Sequence, residues 1–258
     1  MAKKSLKNKR IILTRKDNEP LASELRELGA KVIELPLIDI ALDADKEIAD
    51  EVLSNIASYQ WLTFSSANGV RGFFKEFFKK FRDIRCIGPC RIAAVGQKTA
   101  EELAKFFIQT DVLPEIATAE NMAKAAMQFE TLENLMILNV AGNLQDQTLT
   151  KILQDEAKAI VDTFPVYKTS LIELDPKNQS VKNFTENGAD AIFFASASAV
   201  QSFAKNAKLL TLKKNASHPK AFSIGAKTSE EMKKFGITPA AEATSHNNII
   251  ETILSGIC

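Results

Sequence analysis

Apolar runs of strand length alternate with stretches of helical periodicity along this chain. Residues 10–14 and 31–35 are short apolar runs, and between them Leu21, Leu25 and Leu28 recur at the spacing of one helix face. A buried strand reads as a short apolar run, whereas an amphipathic helix places apolar residues three and four positions apart. The pattern therefore predicts a β-α-β unit in this part of the chain.

The same alternation continues through most of the sequence. Five further apolar runs, each followed by a stretch able to form a helix, occupy residues 61–64, 91–95, 136–140, 190–194 and 220–224. The apolar faces predicted for the first two of these helices comprise Val70, Phe73, Phe74 and Phe77 in one and Leu103, Phe106 and Phe107 in the other. Strands separated by helices favour parallel sheets in an α/β fold.

Two blocks of sequence occur twice. Residues 64–70 return as 194–200 and residues 95–102 return as 224–231, at offsets of 130 and 129 residues. Shorter matches join Ile12-Leu13 to Ile137-Leu138 and residues 35–37 to residues 164–166. A repeat held in nearly one register predicts two similar lobes, and a cleft between two lobes is a common place for a small molecule to bind.

Two long strand-like stretches are each expected to be broken by a proline. Residues 31–40 contain Pro36 and residues 159–173 contain Pro165, which are matched positions of the repeat. Proline is confined to strand ends, edges and bulges, because it has no N–H for the ladder. These segments are therefore predicted to connect the two lobes, near residues 34–41 and 160–170.

Composition narrows the classes of partner. The chain has 258 residues, of which 45% are apolar and 25% are charged. Because the net charge is only +1, an anionic ligand must be attracted by local groups in a site. No apolar run reaches the roughly 20 residues needed to span a bilayer. The basic segment 1–10 leads into a strand without a signal-peptide core, so a cytoplasmic protein is expected. A nucleic-acid arm is the other interpretation of that segment, but no nucleic-acid motif follows it.

Cysteine and histidine are too few and too scattered for several kinds of site. Cys86 and Cys90 are separated by three residues, and Cys258 is far away, which fits neither a disulfide framework nor a zinc site. Both histidines, His218 and His246, lie in polar loops. A catalytic metal or a Ser-His-Asp triad is therefore not expected.

Small polar residues follow four of the predicted strands. These strand-to-helix turns are residues 65–68, 96–99, 196–198 and 225–228. At the carboxyl edge of a parallel sheet, free backbone N–H groups and helix dipoles favour anions. Helix capping is the alternative, because Thr99 with Glu102 and Thr228 with Glu231 fit the capping-box pattern. If all four turns face one cleft, a ligand with several carboxylates or phosphates is favoured.

Nucleotide motifs are absent from the sequence. No Gly-x-Gly-x-x-Gly follows the first strand, and residues 96–99 lack the glycine-rich loop of a phosphate-binding P-loop. Tyr167 follows Pro165 by two residues, whereas Ile38 stands at the matched position after Pro36. Its phenol could pack at an interface, or it could donate a proton or hydrogen bond to a leaving hydroxyl.

The sequence resembles uroporphyrinogen-III synthases over almost its whole length, through the order and spacing of several motifs. These are Leu13-Thr14-Arg15, residues 64–70, Ala94-Val95-Gly96 with Thr99-Ala100, Val166-Tyr167, residues 194–200, and Ser223-Ile224-Gly225 with Thr228. The resemblance implies two α/β lobes joined by two connecting strands. The first lobe would be discontinuous, comprising residues 1–37 and 169–258, and the second would comprise residues 40–165.

The resemblance also implies an activity. The family cyclises hydroxymethylbilane, with loss of water and inversion of the last pyrrole ring, in the biosynthesis of haem and other tetrapyrroles. Such an enzyme is a cyclising lyase that needs no metal or organic cofactor, and a monomer without nucleic-acid or membrane partners is expected here. The family mechanism passes through an azafulvene and a spirocyclic intermediate. Because the open substrate also cyclises unaided to the wrong isomer, the main task of the enzyme is positioning.

Candidate site residues follow from the polar turns together with the family motifs. A substrate with many carboxylates suits dispersed amides and hydroxyls, and Tyr167 is the candidate that assists loss of the hydroxyl. The candidates for substrate binding are Thr14, Arg15, Ser65, Ser66, Asn68, Gly96, Lys98, Thr99, Gly142, Ser196, Ser198, Gly225, Lys227 and Thr228. The sequence departs from the family pattern in two places, because segment 140–146 has no arginine and Lys16 stands where a proline is common.

Two other functions fit the same residues less well. A two-lobed protein could bind an anionic small molecule without chemistry, and a phosphosugar-binding isomerase or regulator could use serine-rich turns. The sequence has no secretion signal typical of an extracellular receptor and no acid/base pair of the kind an isomerase needs.

Overall fold

The computed structural model describes residues 5–16, 18–144, 147–244 and 248–257. It divides into two compact units, which we call unit 1 (Met1–Asp39 with Ser170–Cys258) and unit 2 (Ile40–Thr169). Strands and helices alternate in both, which confirms the predicted α/β class. Within the described ranges, no helix combines the length and the apolar character that crossing a membrane requires.

The elements are numbered in chain order over the described residues. The strands are β1 (Arg10–Arg15), β2 (Lys31–Ala41), β3 (Trp61–Phe64), β4 (Arg91–Ala94), β5 (Met136–Gly142), β6 (Ile160–Leu171), β7 (Ala191–Phe194), β8 (Lys220–Ser223) and β9 (Pro239–Glu242). The helices are α1 (Glu19–Glu27), α2 (Lys46–Ser54), α3 (Ala67–Lys80), α4 (Gln97–Ala104), α5 (Ala119–Phe129), α6 (Thr148–Asp155), α7 (Gln179–Asn187), α8 (Ala197–Lys205), α9 (Ala226–Lys234) and α10 (Ile249–Ile257). The boundary between the units falls inside β2 and inside β6.

Each unit contains a parallel sheet, and the two sheets have the same strand order. In unit 1 the order is β2-β1-β7-β8-β9, and in unit 2 it is β6-β5-β3-β4. A parallel bridge between Ala93 and Val112 stands where β9 would continue unit 2, at the position of the Phe222–Ala241 pair of unit 1. The internal repeat read from the sequence is therefore a repeat of sheet topology.

The strand registers correct one detail of that repeat. Ile11 and Ile12 pair with β7 as Ile137 and Leu138 pair with β3. The sequence match of Ile12-Leu13 with Ile137-Leu138 is therefore wrong by one residue, because a run of similar apolar residues aligns equally well when shifted by one.

The predicted breaks at the two prolines are also wrong, because both strands run through them. In β1–β2, Leu13 lies opposite Glu34 but Arg15 lies opposite Ile38, so the register shifts around Pro36. In β5–β6, the register shifts immediately after Pro165. A bulge interrupts the hydrogen-bonding ladder locally, and a residue without an N–H is tolerated there.

Phenylalanines dominate the core of unit 2. Phe73, Phe74 and Phe77 on α3 are at most 1% exposed, which confirms that this stripe faces the core. The predicted helix carrying Leu103, Phe106 and Phe107 is too long. Helix α4 ends at Ala104, and Phe107 follows it with a positive φ of 60° and a side chain that is 96% exposed.

The structure describes two of the three cysteines and one of the two histidines. Cys86 is exposed and Cys90 is half-buried, and both are free thiols. Burial raises the pKa of the Cys90 thiol to about 11, so it stays protonated at neutral pH. His218 is exposed in a loop. The predictions about residues 1–4, Gln145, Asp146, His246 and Cys258 lie outside the described residues.

Candidate functional site

The candidate residues of unit 2 lie at one edge of its sheet. Strands β3, β4, β5 and β6 are parallel, so their carboxyl ends share an edge. The predicted residues in the turns and strand ends at that edge are Ser65, Ser66, Asn68, Gly96, Lys98, Thr99, Gly142 and Tyr167. Sequence-distant positions are thus brought together within unit 2.

Ser66 connects the start of α3 to Tyr167. It is the N-cap residue of the helix, and its Oγ accepts a hydrogen bond of 3.0 Å from the backbone N–H of Gly69. The same hydroxyl donates to the Tyr167 hydroxyl oxygen at 3.2 Å. Capping and a role in the site were alternatives at the sequence level. In the structure, one hydroxyl caps the helix and contacts the candidate catalytic phenol.

A glycine makes room for the Tyr167 ring. Gly142 at the end of β5 lies opposite Tyr167 on β6, and a Cβ atom placed on Gly142 would lie within 3.0 Å of the ring and of its hydroxyl. Any larger residue would have to displace the ring. Tyr167 is half-buried and packs against the phenylalanine core of unit 2, and its hydroxyl contacts Ser66 at the sheet edge.

Arg71 links α3 to α4 beside these turns. Its Nε and Nη2 each donate to a carboxylate oxygen of Glu102 at 2.9 Å, and its Nη1 donates to Asn68 Oδ1 at 3.3 Å. Lys105 also donates to Glu102 at 2.9 Å. Hydrogen bonding by Arg71 is the main cause that holds the pKa of Glu102 below its usual range. The Asn68 side-chain oxygen is therefore already engaged.

The predicted capping boxes are wrong in both units. Gly96 and Gly225 are the N-cap residues of α4 and α9, so Thr99 and Thr228 are the third residues of their helices. The two threonines are only 4% and 5% exposed. The glutamates bind other side chains, because Glu102 accepts from Arg71, and the unit 1 counterpart accepts from Gln201 at 2.8 Å.

The candidate residues of unit 1 lie at the corresponding edge of its own sheet. They are Thr14, Arg15, Ser196, Ser198, Gly225, Lys227 and Thr228. Thr14 is fully buried, and its hydroxyl donates to the Phe193 carbonyl at 2.8 Å and accepts from the Ala195 N–H at 3.5 Å. Its hydroxyl therefore ties β1 to β7 and is already used by the backbone.

Apart from the buried Thr228, the other unit 1 candidates are more accessible than Thr14. Ser196 is the N-cap of α8, where its Oγ accepts from the Ala199 N–H at 3.2 Å and lies 3.0 Å from Ser198 Oγ. Arg15 is half-buried at the end of β1. Lys227 is exposed in the first turn of α9, as Lys98 is in the first turn of α4.

Sequence reasoning missed two residues that touch this arrangement. Arg71 lies in the first repeat block's helix, and comparison with Gln201 at an offset of 130 would have drawn attention to it. Asn143 follows Gly142 directly, and its contacts with β6 could not be read from the chain. The arrangement offers backbone N–H groups, hydroxyls and cationic side chains. Among the described residues, no three His, Cys, Asp or Glu side chains come together to hold a metal ion.

The model of the family described as "Uroporphyrinogen-III synthase HemD" matches residues 19–248. The porphyrin biosynthesis protein HemD of Ruminiclostridium josui is 28% identical over 98% of this chain and 49% of its own length. The uroporphyrinogen-III synthase of Synechococcus elongatus is 32% identical over 66% of this chain and 64% of its own length. That of Chlorobaculum parvum is 24% identical over 89% of this chain and 90% of its own. The chain thus spans only about half to two thirds of the first two relatives.

Solved structures support the fold. A mutant uroporphyrinogen III synthase from Thermus thermophilus superposes with a TM-score of 0.67 at 16% identity, covering 96% of each chain. The enzyme from Helicobacter pylori superposes with a TM-score of 0.61 at 16% identity, covering 96% of this chain and 99% of that one. The family model spans most of the chain and shows that the chain belongs to the uroporphyrinogen-III synthase family.

Proposed function

We propose that this chain is a uroporphyrinogen-III synthase, which cyclises hydroxymethylbilane with loss of water and inversion of the last pyrrole ring. The observation that carries the proposal is the Tyr167 hydroxyl, held 3.2 Å from Ser66 Oγ at the carboxyl edge of the unit 2 sheet. A phenol at such an edge can donate a hydrogen bond or proton to a departing hydroxyl. Family membership supplies the substrate class to which this chemistry applies.

In the proposed reaction, Tyr167 acts on the hydroxymethyl group of the substrate. Its O–H donates a proton to the departing hydroxyl, and the C–O bond breaks so that water leaves. The electron pair of the pyrrole nitrogen forms the azafulvene, and the proton that this nitrogen gives up restores the phenol. The substituted carbon of the last ring then attacks this electrophile to give the spirocyclic intermediate, which rearranges to the closed macrocycle. The Ser66 hydrogen bond fixes the phenol for the first of these steps.

Recognition of the substrate carboxylates is assigned to both units. Half-buried Ser65 and exposed Lys98 supply polar groups in unit 2, and Ser198 with Arg15 and Lys227 supplies them in unit 1. Helix N-termini follow each of these turns and add partial positive charge. In this proposal the two units are the two predicted lobes, and no metal or organic cofactor takes part.

Positioning is the second part of the proposal. The substrate cyclises unaided to isomer I, so the enzyme must favour one folded conformation in which the last ring is attacked at its substituted carbon. Dispersed contacts to many carboxylates can hold such a conformation. A monomer located in the cytoplasm, without nucleic-acid partners, remains a prediction from the sequence.

The ratio of isomers tests the proposal against the binding-protein alternative. Freshly generated hydroxymethylbilane is supplied to the chain, the products are oxidised, and uroporphyrins III and I are quantified by chromatography. We expect isomer III to predominate, whereas the protein-free control gives isomer I. A product mixture equal to the control, together with saturable binding of hydroxymethylbilane, would contradict the synthase and favour a non-catalytic binding protein.

A further inference from the structure

Tyr167 lies immediately after a bulge in β6, where the regular hydrogen-bonding ladder with β5 is interrupted. Ala141 lies opposite Pro165 and Gly142 lies opposite Tyr167, so Val166 is an extra residue on β6. A β-bulge of this kind re-aims the side chain that follows it, because successive residues point to opposite faces. The direction of the Tyr167 ring therefore depends on what holds the bulged register.

Asn143, the residue after β5, forms hydrogen bonds with the β6 backbone at Tyr167 and at Thr169. Its backbone N–H donates to the Tyr167 carbonyl at 3.1 Å. Its side-chain Oδ1 accepts from the Thr169 N–H at 2.8 Å, and its Nδ2 donates to the Thr169 carbonyl at 3.3 Å. In a regular parallel ladder the backbone carbonyl of residue 143 would accept from Thr169. The carboxamide takes that bond instead, after β5 has ended at Gly142.

We propose that Asn143 is a positioning residue for Tyr167, which rests on the proposed function of that tyrosine. Three backbone groups of β6, namely the Tyr167 carbonyl and the N–H and carbonyl of Thr169, are held by this one residue. The carboxamide accepts from the Thr169 N–H through its oxygen and donates to the Thr169 carbonyl through its nitrogen. Asn143 thus fixes the backbone on which the phenol is carried, while Ser66 fixes its hydroxyl.

Asn143 makes no contact with substrate in this proposal. Removal of its side chain should free the end of β6 from the bulged register, so that the Tyr167 ring samples other positions while the rest of unit 2 keeps its fold. A misplacement of about 1 Å in a positioned group can lower a rate by as much as about 10²-fold. Substrate binding through the dispersed turns should change much less than the chemical step.

Two measurements on Asn143→Ala test this, with Asn55→Ala as a matched control. Asn55 is another exposed asparagine of unit 2 whose Nδ2 donates to a backbone carbonyl, that of Glu51 at 3.2 Å. For Asn143→Ala we expect kcat for isomer III to fall about tenfold, with KM changed less than about twofold. Asn55→Ala should match wild type in both constants.

The second measurement is independent of activity. The chain has two tyrosines, so ¹³C-tyrosine labelling gives two ring signals, which Tyr59→Phe assigns. In Asn143→Ala the Tyr167 signal should shift or broaden, while the Tyr59 signal stays in place because that phenol is fixed by Asp162 at 2.7 Å. Asn143→Asp keeps the acceptor for Thr169 and loses the donor, so its rate and Tyr167 signal should lie between those of wild type and Asn143→Ala.

Three outcomes would overturn the inference. The first is a wild-type rate for Asn143→Ala, the second is a lowered rate with an unmoved Tyr167 signal, and the third is movement of both tyrosine signals together. A wild-type chain that forms no isomer III contradicts the proposed function instead. In that case the tyrosine signals still test whether Asn143 holds the Tyr167 segment.

Discussion

Units 1 and 2 share one sheet topology but differ where their matched strand pairs end. In unit 2, Tyr167 lies opposite Gly142, and the glycine leaves space for the phenol. In unit 1, the matched position is Ile38, which lies opposite Arg15 and is 4% exposed. A buried aliphatic side chain cannot donate a proton. The repeat therefore supplies two similar frameworks, and we assign the chemistry to unit 2.

The side-chain contact between the two helices that follow the turns also differs between the units. These helices are α3 and α4 in unit 2 and α8 and α9 in unit 1. Glu102 of unit 2 is bound by Arg71 through two hydrogen bonds of 2.9 Å, whereas the matched Glu231 accepts one of 2.8 Å from Gln201. Each glutamate is also paired with a lysine three residues later. The contact between the two helices is kept in both units, but its partner on the first helix is the charged Arg71 in unit 2 and the neutral Gln201 in unit 1.

Gly142→Ala should have the largest effect on stability. The new Cβ would lie within 3.0 Å of the Tyr167 ring, so either the ring or β5 must move. We expect the free energy of unfolding in urea to fall by about 2 kcal/mol, as in other overpacked cores, with a loss of isomer III formation. Gly225→Ala in unit 1 serves as the control glycine substitution, because no atom lies within 4 Å of its Cβ position.

The Gly225→Ala variant should lose less than about 1 kcal/mol, the cost of a poorer N-cap residue. Equal losses of unfolding free energy in the two variants would contradict the claim that Gly142 is specifically adapted to Tyr167.

Arg71→Gln gives unit 2 the residue of unit 1 and should have a smaller, pH-dependent effect. Because Arg71 is 46% exposed and screened by solvent, we expect a loss of about 1 kcal/mol at neutral pH. Arg71 lowers the pKa of Glu102, so its stabilisation is present above the ordinary glutamate pKa of 4.5 and is lost as pH falls through the lowered value.

Urea unfolding of wild type and Arg71→Gln at neutral pH and at about pH 2 measures this dependence. The difference between the two proteins should shrink in acid. A difference of the same size at both pH values would show that the loss comes from packing rather than from the Glu102 charge.

Phe107→Gly should have the smallest effect, and it should be stabilising. Phe107 and Gly236 occupy matched positions after α4 and α9, with φ of 60° and 72° and the same backbone hydrogen bonds closing the helix. The left-handed region is costly for a residue with a Cβ, and the Phe107 side chain is 96% exposed and loses little packing.

We expect Phe107→Gly to raise the unfolding free energy by roughly 0.5 kcal/mol, after the greater freedom of glycine in the unfolded chain is subtracted. The reciprocal change Gly236→Ala should lower it by about 1 kcal/mol. A destabilised Phe107→Gly variant would mean that the phenylalanine makes a contact that compensates for its backbone conformation.

Much of the fold was predictable from local sequence patterns. Contacts between residues that are distant in sequence were not predictable. The strands and the Phe73, Phe74 and Phe77 stripe follow from short-range periodicity. The bulges after Pro36 and Pro165 depend on the register of a neighbouring strand, which the sequence does not encode locally. Thr99 with Glu102 fits a capping box, but Arg71, 31 residues before Glu102, takes the carboxylate.

The candidate site shows the same limit. Its turns were predictable from strand ends followed by small polar residues. The Ser66–Tyr167 hydrogen bond joins residues 101 positions apart, so it appears only when β3 and β6 are placed in one sheet. The burial of Thr14 and Thr99 could not be predicted either, because the sequence does not distinguish a threonine exposed in a turn from one buried next to it.

The rate of isomer III formation in Tyr167→Phe, measured in a single turnover, tests the central assignment most directly. Tyr59→Phe is the control, because it removes the other phenol of the chain, which is 5% exposed and bonded to Asp162. We expect Tyr167→Phe to slow isomer III formation on the order of 10²-fold, Ser66→Ala to slow it less, and Tyr59→Phe to match wild type. Equal rates for Tyr167→Phe and wild type would contradict the assignment of the chemistry to unit 2.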